Sequence, residues 1–165
     1  MWHSLVLLTA SFATNILQLL EIRGIYQYPI LWIVGLGAWA GVFWLMRRRM
    51  GPVTFIERQI AHVWAASMIC VAGLFPIEML MGMPPLKLSP CLGLIAGMTF
   101  VIKGGILSGT FYIQAVALFT TAIMMAWIPQ YGHFIFGLVA ALCFFVPGLI
   151  YYRRKLRNSN PTANG

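Results

Sequence analysis

The chain has 165 residues, 61% of them hydrophobic and only 8% charged. A soluble domain is about 25% charged, so this composition excludes a soluble fold, a disordered chain and a secreted disulfide scaffold. The net charge of +8 comes from 11 Lys and Arg against 3 Asp and Glu; the basic residues sit at the edges of apolar runs, as topology signals do, and do not indicate nucleic-acid binding.

Six apolar segments follow one another. Trp2–Leu20 is the most polar, with Ser4, Thr9, Ser11, Thr14, Asn15 and Gln18. It lacks the basic stretch and cleavage site of a signal peptide and reads as a retained first span. Tyr28–Met46 is second and ends at Arg47-Arg48-Arg49. Ile60–Gly82 is third, Leu86–Ile102 fourth and shortest, Ile106–Ile128 fifth. Tyr131–Tyr152 is sixth and ends at Arg153-Arg154-Lys155. Each has the roughly 17–25 residues needed to cross a bilayer as a helix. None alternates as a barrel strand would.

The expected fold is therefore all-α: a polytopic membrane protein, a six-transmembrane-helix bundle with both termini cytoplasmic. One transmembrane domain covers 1–157, and 158–165 is expected to be a disordered polar tail. This orientation puts Arg47, Arg48, Arg49, Arg58, Lys103, Arg153, Arg154, Lys155 and Arg157 inside, and only Arg23 and Lys87 outside. That bias obeys the positive-inside rule, and aromatic residues such as Trp2, Tyr28, Trp44, Trp127 and Tyr131 suit interfacial belts. Arg47, Arg48, Arg49, Arg153, Arg154 and Lys155 are the expected contacts to anionic lipid headgroups.

Ionisable groups within apolar spans mark candidate sites, because burying them in a bilayer is costly. Glu78 follows Pro76 near the outer end of the third span. It either binds a cation or proton beside a proline kink or pairs with Lys87. Lys103 is expected at a tight inner hairpin turning at Gly104-Gly105, snorkelling to the headgroups or holding an anionic lipid or a partner. His62 lies one turn into the third span and is either a proton group or an interfacial anchor and hydrogen-bond donor. Thr54 and Glu57 have the spacing of a capping box at that helix start. His3 and His133 lie near opposite faces, so the three histidines form no cluster.

Asn15, Gln18 and Gln114 are expected to hydrogen-bond between helices. Three GxxxG pairs, Gly37/Gly41, Gly93/Gly97 and Gly105/Gly109, are expected to let helices approach closely. Cys70, Cys91 and Cys143 are dispersed and form no CxxC, so neither a zinc site nor a disulfide framework is expected. No P-loop, HExxH or GxSxG occurs. Aspartate is absent from the whole sequence, which excludes an aspartyl protease dyad. No cofactor is implied.

The stretch Gly51-Pro52-Val53-Thr54-Phe55-Ile56-Glu57-Arg58-Gln59-Ile60-Ala61-His62-Val63-Trp64 resembles the C-terminal multi-span region of planctomycete serine/threonine protein kinases. Lys103-Gly104-Gly105-Ile106-Leu107-Ser108-Gly109-Thr110-Phe111-Tyr112 and Phe144-Phe145-Val146-Pro147-Gly148-Leu149-Ile150-Tyr151-Tyr152 are similar to it too. The chain lacks the Gly-rich loop, β3 lysine, HRD and DFG of a kinase domain, so no catalytic residue carries over. The resemblance implies a non-catalytic membrane module associated with kinase signalling, which anchors, senses or dimerises. Its partners would be anionic lipid and a cytoplasmic kinase domain or a second copy. The alternative is a small transporter or channel built on Glu78.

Overall fold

The computed structural model describes residues 2–20, 26–48 and 54–159; the side chains of 2–4, 7, 43, 46–48 and 150–159 lie outside that description. Six helices follow in order: α1 Trp2–Leu19, α2 Gln27–Arg48, α3 Phe55–Leu80, α4 Pro90–Ile106, α5 Thr110–Trp127 and α6 Gly132–Ser159. A 3-10 turn, Pro129–Tyr131, joins α5 to α6. Among the described residues there is no strand. Each helix packs against its sequence neighbours, and α1 packs against α6 to close the ring.

The bundle encloses a mixed core, in which Trp32, Phe100, Leu118, Met125 and Phe136 pack among buried polar residues, and its outer face is apolar. Ser11, Thr14, Asn15, Glu78, Thr99, Lys103, Thr121 and His133 are buried, while Leu5, Ile69, Ile113, Val116 and Ile123 are exposed. Water would disfavour so apolar an exterior, whereas lipid tolerates it and demands that polar side chains find partners inside. Phe55–Leu80, Thr110–Trp127 and Pro129–Leu149 are long and apolar enough to cross a membrane. Gln27–Val42 and Pro90–Ile106 are apolar but shorter. The chain is thus an all-helical membrane protein.

Helix boundaries depart from the expected spans where local chemistry intervenes. The third helix starts at Phe55, not Ile60, because the capping box forms: Glu57 N donates to Thr54 Oγ1 at 3.3 Å and Thr54 N to Glu57 Oε2 at 2.9 Å. The fourth starts at Pro90, not Leu86, since Pro84 and Pro85 disfavour helix and Pro90 fits a first turn. Gly104 and Gly105 lie inside α4, and the turn falls at Leu107–Gly109 instead. The sixth runs on to Ser159, so Arg153, Arg154, Lys155 and Asn158 are helical rather than tail or edge. Residues 160–165, Arg49 and the side chains of Arg47, Arg48, Arg153, Arg154 and Lys155 lie outside the described part, as does that of His3.

Glycines set the two tightest seams. A Cβ on Gly93 would meet Ala122 Cβ at 2.8 Å, and one on Gly97 would meet the Phe119 ring at 2.7 Å, so this pair does bring α4 onto α5. Gly37 and Gly41 have nothing within 4 Å of an added Cβ. Gly105 and Gly109 straddle the α4–α5 turn and touch only Tyr112, so they form no helix seam. Gly104 and Gly137 do the work not expected of them: Cβ atoms there would meet the Tyr112 ring at 3.0 Å and Ser11 Cβ at 2.5 Å.

Candidate functional site

Lys103 marks the principal site. Its helix, α4, ends one turn later, and the side chain is only 9% exposed. It does not snorkel outward. Its Nζ lies 4.5 Å from the centroid of Phe100, one turn back along α4. Phe111 of α5 is at 4.7 Å, Phe144 of α6 at 5.3 Å and Trp64 of α3 at 5.7 Å. The rings pack on each other, with Trp64–Phe144 centroids 5.4 Å apart and Phe100–Phe144 5.2 Å apart. Four helices thus build one aromatic cage around one ammonium. A lysine inside a bilayer costs about 3 kcal/mol on insertion scales. A desolvated cation–π contact returns up to about 2 kcal/mol, so several rings suffice to hold the charge. Rings offer no conventional acceptor, and among the described residues the ammonium makes neither a hydrogen bond nor an ion pair.

Glu78 sits at the opposite end of α3, buried at 4% exposure. Its carboxylate does not pair with Lys87, which is exposed. Oε2 accepts from Leu86 N at 3.0 Å and Oε1 from Leu88 N at 2.5 Å. Its backbone oxygen accepts from Met83 N at 2.9 Å. One residue therefore ties down the whole α3–α4 loop. The loop is bent to suit: Leu86 holds a left-handed φ of 67°, which costs a side-chain-bearing residue about 1–2 kcal/mol. Gly82 meets the same demand at φ 63° without that cost. Pro76, expected to kink beside this carboxylate, lies inside a helix that continues past it.

His62 is exposed, and its Nδ1 bonds Arg58 O at 2.7 Å within its own helix. It stands about 24 Å along α3 from Glu78 at 1.5 Å per residue. Glu78, His62 and Lys103 therefore do not form one intramembrane site.

A polar seam joins α1, α2 and α6. Asn15 Nδ2 donates to Gln130 O at 3.0 Å, and Gln18 Nε2 reaches toward Pro129 O at 3.5 Å. Both therefore meet backbone of the α5–α6 turn rather than a side chain across a helix pair. Trp32 Nε1 donates to Thr14 Oγ1 at 2.9 Å. Gln114 forms no bond through its buried Oε1. His133 is fully buried, and neither ring nitrogen has a partner; Ser11 Oγ shares that condition. The antiparallel register that sets Gly137 on Ser11 and Gln130 beside Asn15 brings His133 level with this row. Trp32→Phe is expected to lower stability by about 0.5–1.5 kcal/mol, the range for hydrogen bonds between membrane helices. Melting of the detergent-solubilised variant checks this, and an unchanged midpoint would place the indole bond outside the fold's energetics.

Reasoning from the sequence missed the cage and the seam for different reasons. Lys103 stood out, but Trp64, Phe111 and Phe144 are ordinary aromatics at a distance of tens of residues. His133 was visible, yet its burial and that of Phe136 and Ala140 on the same helix show only in the structure. Ser67 and Thr99, whose hydroxyls meet between α3 and α4 at 2.5 Å, gave no signal at all. Among the described residues no group of His, Cys, Asp or Glu is arranged to hold a metal. No protein-family model, curated protein or solved structure matches this chain.

Proposed function

We propose that the chain is a non-catalytic membrane module that anchors a cytoplasmic partner and relays changes in helix packing to it. The six helices would all span the membrane, with both termini in the cytoplasm. The antiparallel pairing of α1 with α6 favours this, because it puts the start of one and the end of the other at the same end of the bundle. In this orientation nine of the eleven Lys and Arg would lie at that end. A serine/threonine kinase domain is the partner suggested by the likeness of 51–64, 103–112 and 144–152 to kinase membrane regions.

One observation carries the reading: the described carboxylates are spent on structure. Glu57 closes a helix cap and Glu78 holds a loop. General acid–base chemistry needs an acid and a base within reach of one substrate, and a transporter built on Glu78 needs that carboxylate free to exchange its ligand. The test is capture from native membranes through a tag on the C-terminal end. A co-purifying kinase activity, or a second copy held by crosslinking, is the expected result. Reconstituted chain that carries an ion flux abolished by Glu78→Gln would overturn it in favour of transport.

A further inference from the structure

The Lys103 ammonium has four rings and the buried Cys143 thiol of α6 about it, and no carboxylate among the described residues. The ammonium carries three N–H donors, and the four rings around it can satisfy its charge but accept none of them in a conventional hydrogen bond. The three carboxylates of the chain are Glu21, Glu57 and Glu78. Glu78 is at the far end of α3. Glu57, two turns outward from Trp64 on the same face of α3, has its carboxylate turned back onto Thr54. Glu21 lies outside the described residues.

Helix lengths set the cage below the ends of two of the helices that build it. α4 stops three residues beyond Lys103. α3 extends nine residues outward from Trp64, and α6 fifteen residues beyond Phe144. At 1.5 Å per residue the end of α4 lies about 9 Å below the end of α3 and about 18 Å below that of α6. This leaves a recess at the basic end of the bundle, floored by the exposed turn Leu107–Gly109. In a membrane such a recess faces the headgroup layer.

We infer that Lys103 binds the phosphate of one anionic phospholipid, whose headgroup enters over the α4–α5 turn. This rests on the membrane-module reading and adds its ligand. Lipid is the source because the recess opens where headgroups lie, while the flanking apolar helix surfaces take the acyl chains. Binding would exchange ring contacts for charge-assisted hydrogen bonds at the ammonium. It would also loosen Phe111 and Phe144, and so connect lipid composition to the packing of α5 and α6.

Native mass spectrometry of the full chain, loaded with phosphatidylglycerol or with phosphatidylcholine, tests the assignment. One phosphatidylglycerol per chain is expected to survive delipidation, held about tenfold more tightly than phosphatidylcholine. Lys103→Gln should lose that preference, and Lys103→Arg should keep most of it. Where Lys103→Gln does not fold, Lys103→Met, which keeps the stem among the rings, serves in its place. Equal retention by the wild type and the folded variant would overturn the inference and leave Lys103 as a pin between helices. Complete displacement of the lipid by millimolar inorganic phosphate would overturn the lipid assignment. Partner capture does not depend on this outcome, so its persistence in Lys103→Gln separates failure of the ligand from failure of the module.

Discussion

Glu78→Ala is expected to destabilise the protein by about 2–4 kcal/mol, because two hydrogen bonds to a charged acceptor, each worth about 1.5–3 kcal/mol, are lost. Part of that loss is returned, since the carboxylate no longer has to be buried. The Leu86 and Leu88 amides would lose their acceptor at 3.0 and 2.5 Å. The strained turn at Leu86 would then lose what holds it and relax toward ordinary backbone. Glu78→Gln keeps one carbonyl acceptor but turns an N–H toward the other amide, so it should cost roughly half as much. Thermal melting in detergent measures the loss. Hydrogen exchange locates it, with faster exchange at Leu86 and Leu88 and little change in α5 or α6. A stability within about 0.5 kcal/mol of wild type, the ordinary range for surface changes, would remove Glu78 from its role as the loop's anchor. The transport alternative would then regain its carboxylate.

Much of the fold was legible because its controlling signals are local. Hydrophobic length marked the helices, and Thr54-to-Glu57 spacing marked a cap. The errors arose where a distant residue decides. The loop before the fourth helix is gathered by Glu78, a contact ten residues long in sequence, which adds to the prolines that delay that helix to Pro90. The turn avoids Gly104-Gly105 because Gly104 is needed where the Tyr112 ring crosses α4. A glycine pair reads as a turn from sequence alone, whereas here lack of a side chain serves packing. The same limit governs the site. Lys103 was identifiable as costly, but its direction was not: solvent outside competes with four rings inside, and those rings come from four helices. Glu78 was likewise identifiable, while its partners are backbone amides that no sequence pattern names.

Two identical motifs give the sharpest contrast in expected effect. Gly93→Leu should cost about 3 kcal/mol or more, at or beyond the upper range for overpacking a filled interface. Even the first added atom meets Ala122 Cα and N at 3.0 Å, and backbone cannot step aside as a side chain can. Gly97→Ala should cost less, since it meets the Phe119 ring, which can tilt. Gly37→Ala and Gly41→Ala meet nothing within 4 Å. In a helix the change from glycine to alanine is worth up to about 1 kcal/mol of stabilisation, so both should be neutral or favourable. Melting in detergent ranks the four variants. Because α4 and α5 carry Lys103, Phe100 and Phe111, Gly93→Leu should also open the cage and abolish selective lipid retention, while Gly37→Ala leaves it intact. Matching losses at Gly37 and Gly93 in a lipid bilayer would mean that another helix covers α2 there. The module would then act as an oligomer, with the Gly37/Gly41 face as its seam.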